Sequence, residues 1–95
     1  MIPSHRIPVH PGKNLKEEFL DELDISQVAF AGHIQVPVQR INEIVRGKRG
    51  ITSETAWLLA QALDTTPEFW LNLQATYDLA SNRPEKTIQK LRKAS

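Results

Sequence analysis

The chain has no cysteine, which removes disulfides, thiolate nucleophiles and thiolate–metal sites together. No apolar run approaches the ~18 residues of a membrane span. The opening stretch, MIPSHRIPVHPG, lacks the apolar core of a signal peptide. A cytoplasmic protein with no membrane partner is therefore expected. Of the three histidines, His5 and His10 lie near each other but have no third ligand at a recognisable spacing, so no metal or other cofactor is expected. No nucleophile–base constellation stands out either, which argues against an enzyme. What remains is ordinary: 95 residues, 40% hydrophobic and 24% charged, enough for one domain with a modest core.

An excess of one charge is also missing, since the formal net charge is +1. The charges are nonetheless sorted along the chain. Between residues 13 and 24, Lys13 and Lys16 face Glu17, Glu18, Asp21, Glu22 and Asp24, a net of −3. Residues 38–50 carry Arg40, Arg46, Lys48 and Arg49 against Glu43, a net of +3. Residues 51–80 contain four acids and no Lys or Arg, and residues 81–95 carry five basic groups against Glu85. Phosphate attraction fades over a Debye length of ~8 Å at physiological salt. A local basic patch can thus bind DNA on a nearly neutral protein, whereas a basic run elsewhere is often only solvated.

The apolar pattern reads as all-α. Pro3, Pro8 and Pro11 make residues 1–11 an extended arm. A first helix is expected from Pro11 or Gly12 to Leu23, burying Leu15, Phe19, Leu20 and Leu23. Ser26 is a good N-cap for a second helix to Ile34, with Val28, Ala31 and Ile34 at helical spacing. Pro37 suits the first turn of a third helix running to Arg46, whose buried side is Ile41, Ile44 and Val45, and Gly47 stops it. Helix, short link and helix make the outline of a helix-turn-helix, whose second helix enters the DNA major groove. The outward side of that helix would carry Val38, Gln39, Asn42 and Glu43, with Arg40 and Arg46 on the flanks. Amides read adenine, arginine reads guanine, glutamate accepts from cytosine, and Val38 could meet a thymine methyl. Lys48 and Arg49, after the glycine, should meet phosphates. Arg46, and Gln27 in the first turn of helix two, could join them.

A fourth helix, about Thr52–Leu63, would scaffold the other two through Leu58, Leu59, Ala62 and Leu63. A fifth opens at Thr65-Thr66-Pro67-Glu68, where either Thr65 in a capping box or Thr66 before Pro67 could be the cap. Trp70, Leu73 and Tyr77 line one face of it and Phe69 shares part. That is more apolar surface than a small domain needs, which points to a second copy of the chain as partner, although deep burial would also account for it. Residues 12–80 thus form the domain with its dimerisation helix, and 81–95 a basic tail, either a short helix or disordered.

Read together, I-S-Q-x-x-x-A from Ile25, Val36-Pro37, R-I-N-E-I-V-R-G-K-R-G-I-T from Arg40 and P-E-F-W-L-N-L-Q from Pro67 resemble the HigA antitoxins of bacterial toxin–antitoxin modules. These belong to the lambda-repressor-like (XRE) helix-turn-helix class, and the likeness runs from about His10 to Ala80. It implies a five-helix domain that binds a palindromic operator as a homodimer, represses its own operon, and neutralises a HigB toxin, a RelE-like ribonuclease that cuts mRNA. The class's DNA positions fall on Gln27, Val38, Gln39, Arg40 and Glu43. Two departures stand out: Gln35 where the turn usually carries glycine, and Val38 where many relatives have a polar or basic residue. A stand-alone regulator without a toxin, or a protein-interaction module without DNA binding, are the other readings.

Overall fold

A computed structural model describes residues 8–93. Helix α1 (Pro11–Asn14) starts on His10, whose Nδ1 accepts from the Gly12 N–H at 2.9 Å. It runs straight into a π-helical stretch, Leu15–Leu20, closed by the Asp21 N–H donating to the Lys16 carbonyl at 2.8 Å. The remaining helices are α2 (Gln27–His33), α3 (Val38–Val45), α4 (Ser53–Leu63) and α5 (Pro67–Ser81). The chain is all-helical among the described residues. Residues 1–7 of the expected arm lie outside them; Pro8–His10 are irregular.

Each start has a local cause. Ser26 Oγ accepts from the Ala29 N–H, and Thr52 Oγ1 accepts from the Thr55 N–H, each relieving one unpaired donor of a first turn. The two threonines before Pro67 divide the work. Thr66 Oγ1 caps α5 through the Phe69 N–H at 3.1 Å, while Thr65 Oγ1 accepts from the Trp70 indole N–H at 2.8 Å. Pro37 sits one position earlier than expected, as the residue preceding α3, and gives no side-chain cap.

Four ends share one device. Asp24, Gln35, Gly47 and Asp64 all adopt left-handed backbone, with φ of 53°, 63°, 74° and 55°. After each, the next N–H reaches back across the turn: Ile25 to Leu20, Val36 to Ala31, Lys48 to Glu43 and Thr65 to Ala60, at 2.9–3.1 Å. This is the Schellman closure, and only one of the four uses the glycine that adopts it freely. The Gln35 departure is therefore absorbed without opening the turn, at a cost of about 1 kcal/mol for a side chain in this region.

The core gathers Leu15, Leu20, Phe30, Ala31, Ile34, Ile41, Ile44, Ile51, Ala56, Leu59 and Trp70. Three expectations are corrected here. Leu23 is 61% exposed, because the π stretch puts residues five apart, Leu15 and Leu20, on the inner side, and the chain turns at Asp21–Asp24. Val28 is 69% exposed; α2 faces inward through Phe30, Ala31 and Ile34, so its stripe is rotated from the expected one. In α4 the buried residues are Thr55, Ala56, Leu59 and Ala60, with Leu58, Ala62 and Leu63 at the margin. Gly32 has open space around it, and nothing in the packing explains it.

Gly12 is different. A methyl there would lie 1.7 Å from the Ile44 carbonyl oxygen, so α1 lies directly on the backbone of α3. Gly12→Ala should force the two helices apart and destabilise the protein by at least ~1–3 kcal/mol. A urea unfolding midpoint that does not move would contradict this close packing.

Candidate nucleic-acid interface

Ile41 and Ile44 are fully buried and Val45 packs against the core, so the opposite side of α3 is turned outward. Val38 and Gln39 are exposed; Asn42 and Glu43 are half-buried on the same side. Gln39 Nε2 lies 3.5 Å from Glu43 Oε2, too long to tie the amide down. Its donor and acceptor remain available. Glu43 is more committed, with Oε1 accepting from Arg49 Nε at 2.8 Å and lying 2.7 Å from Arg49 Nη2. This pair joins the helix to the loop that follows it. Arg40 leans away from the face, its Nη1 3.1 Å from Glu54 Oε1 at the start of α4. Gln27 is the half-buried first residue of α2, and Arg46, Lys48 and Arg49 are all exposed. Among the described residues, Arg46 and Lys48 make no ion pair.

The basic loop is fixed from below by residues that sequence reasoning did not place there. Gln74, buried in α5, accepts from the Ile51 N–H through Oε1 at 2.7 Å and donates through Nε2 to Asp78 Oδ1 at 2.9 Å. Its amide also fills the space beside Gly50. The His10 ring lies under Gly47 and meets Tyr77 edge-on, centroids 4.9 Å apart. A polar Gln one turn after a buried Trp in W-L-N-L-Q was the signal for Gln74. Glu54 gave none, since its spacing from Arg40 becomes meaningful only once α4 is placed.

The proposed contact set on α5 separates. Trp70 is 0% exposed, enclosed by Phe19 and Phe69 with ring centroids at 5.2 and 5.0 Å. It therefore cannot offer surface to a second chain, and its assignment to an interface is corrected to the core. Phe69 is exposed, and Leu73 and Tyr77 are half-buried.

An all-α domain whose third helix turns two amides and a valine outward beside an anchored basic loop defines a helix-turn-helix protein. The helix-turn-helix family model matches residues 15–70. Antitoxin HigA-1 of Vibrio cholerae is 39% identical over 83 residues, covering 87% of this chain and 78% of that protein. The structure of Pseudomonas aeruginosa antitoxin HigA with the higBA promoter is 46% identical, with a TM-score of 0.76 over 78% of this chain and 80% of that one. Antitoxin GraA in complex with its operator is 35% identical and superposes with a TM-score of 0.84 over 98% of this chain and 100% of its own. The chain belongs to the HigA family of antitoxins, helix-turn-helix proteins and not enzymes. Among the described residues no helix is long and apolar enough to cross a membrane.

Burial lowers the His10 pKa below its ordinary value of 6.5, with the nearby Asp78 charge opposing the shift. Only the neutral ring can accept from the Gly12 N–H. A depressed folded pKa means the folded state binds fewer protons than the unfolded chain. The contribution is thus complete above pH 6.5 and is lost as pH falls through the folded value. Unfolding midpoints should drop from pH 7.5 to pH 5, and His10→Asn should flatten that drop. Identical pH profiles for the two proteins would contradict it.

Proposed function

We propose that this chain binds a palindromic operator as a dimer, represses its own operon, and neutralises a HigB-type toxin by direct binding. The observation that carries the DNA reading is the outward side of α3, free and aimed by its buried isoleucines, next to a basic loop held by Gln74 and His10. In the major groove, Gln39 and Asn42 would meet base edges, Val38 a thymine methyl, and Lys48, Arg46 and Gln27 the phosphates. Glu43 has a double role in this reading, as an acceptor for cytosine and as the brace for Arg49. Arg40 must exchange Glu54 for a base or a phosphate. The relatives solved with promoter or operator DNA support DNA as the partner.

Magnitude as well as kinship supports the dimer. One small module buries only ~600–1,000 Å² of protein surface on DNA. Two copies on half-sites one turn apart, ~34–36 Å, add their contacts and read a palindrome. With Trp70 withdrawn to the core, the remaining α5 surface for this contact is Phe69, Leu73 and Tyr77.

The test compares matched with scrambled duplexes. Gln39→Ala should lose affinity on the matched operator by about 1–3 kcal/mol and little on the scrambled one. Lys48→Ala should weaken both alike and reduce the salt slope by about one unit per protomer. Equal losses on both duplexes for Gln39→Ala would remove it from base reading. For the toxin, co-expression with the product of an adjoining toxin-sized reading frame should give a co-purifying complex; separate elution would leave a regulator without that partner.

A further inference from the structure

Among the proposed base-reading residues, Arg40 is held away from the outward face of α3. Its Nη1 lies 3.1 Å from Oε1 of Glu54, in the first turn of α4. Among the described residues this is the guanidinium's only hydrogen bond, so its Nε and Nη2 donors are unused. The pair is wet: the Glu54 side chain is 75% exposed and that of Arg40 28%. Both line an open groove of about 550 Å³ between the α2–α3 turn and α4, together with Val36, Pro37 and Leu58. The guanidinium therefore has room to swing without displacing packed side chains.

Magnitudes decide which partner the arginine keeps. A guanidinium fork meets O6 and N7 of guanine with two bonds, and the wrong base loses about 5- to 150-fold at such a contact. An exposed ion pair holds by only about two- to fivefold. Guanine thus displaces Glu54, whereas a phosphate, which offers another wet ion pair, only matches it. Any bound state in which Arg40 meets DNA has first given up Glu54 and is weakened by the hold of that pair. On a duplex without the right base, Arg40 stays largely with Glu54 and gives up little. The better duplex therefore loses more, and the difference between good and poor sites is compressed.

We propose that Glu54 is a specificity-determining residue that competes with DNA for Arg40. It holds both the operator affinity and the preference for Arg40's base pair below what α3 alone would deliver. The proposal rests on the DNA reading above, with Arg40 at a base edge. It gives α4, a scaffold in every other respect, a direct hand in recognition.

Fluorescence anisotropy on the full chain, with matched and scrambled duplexes at one fixed salt concentration, tests it as a double-mutant cycle. Glu54→Ala should tighten the matched operator by about two- to fivefold per protomer and the scrambled duplex by less, so that the ratio between them rises. Glu54→Gln, which keeps the size and removes the charge, should act in the same direction. Helix content should not change, because Glu54 is exposed and Thr52 caps α4. In an Arg40→Ala background, Glu54→Ala should leave the ratio where it is, since nothing remains for the carboxylate to hold. Three results overturn the competition and leave the DNA reading standing, provided the wild type prefers the matched duplex. One is a ratio that Glu54→Ala leaves unchanged, the acid then acting at most through its charge. Another is a ratio that rises as much without Arg40 as with it. The third is a matched operator bound more weakly by Glu54→Ala, which makes Glu54 a brace for Arg40 on its base. A wild type that binds the two duplexes equally removes the DNA reading and the proposal with it.

Discussion

The seating of α3 governs the rest of this molecule. Ile41 and Ile44 are fully enclosed, and above Ile44 the backbone of α1 comes so close that only glycine fits at position 12. A helix held by two branched side chains and a backbone contact has little freedom to roll. Its remaining face is therefore presented at a fixed angle, which base reading requires, because a bidentate contact to a base edge fails when its donor and acceptor are misaimed. Stability and the proposed recognition would then be two sides of the same eight-residue helix.

The basic loop shows the same economy. The Schellman turn at Gly47 ends α3 and redirects the chain in a single step, so Lys48 and Arg49 emerge immediately beside the outward face of α3. The loop would otherwise be free to sway. Gln74 supplies an acceptor to the Ile51 N–H, and an unpaired buried amide there would cost about 1–3 kcal/mol. Through Asp78 and the His10–Tyr77 contact, the end of α5 and the start of α1 brace the same loop. The two ends of the domain converge beneath the residues proposed to meet phosphate.

Much of this was legible in the residues, and the exceptions have physical causes. Ser26 and Gly47 act locally, through a hydroxyl or an accessible φ, and were read correctly as helix boundaries; at α5 two caps were left open, and Thr66 is the one used. The isoleucines of α3 followed from simple periodicity. Periodicity failed in the expected first helix because it assumes a bond to every fourth residue, and the π stretch after α1 uses the fifth; that moved Leu23 out. In α2 the same three-and-four pattern fits two adjacent stripes, and only the presence of Phe30 in the core decides between them. Asp24 and Asp64 in left-handed turns carry no signal as plain as glycine. Trp70 was assigned to an interface by counting apolar surface on α5, but the count could not know that Phe19 and Thr65 would enclose the indole. Pairings such as Arg40–Glu54 depend on how helices far apart in sequence meet, so no local reading reaches them.

The central claim is that the outward side of α3 is the surface that meets DNA. Nuclear magnetic resonance on labelled protein, titrated with a duplex taken from upstream of its own gene, addresses it directly. The side-chain amides of Gln39 and Asn42 and the methyls of Val38 should shift on binding, while signals from Glu17, Glu18 and Glu22 stay in place. Shifts confined to α1 or α5, with the α3 amides and methyls unmoved at saturation, would contradict the account.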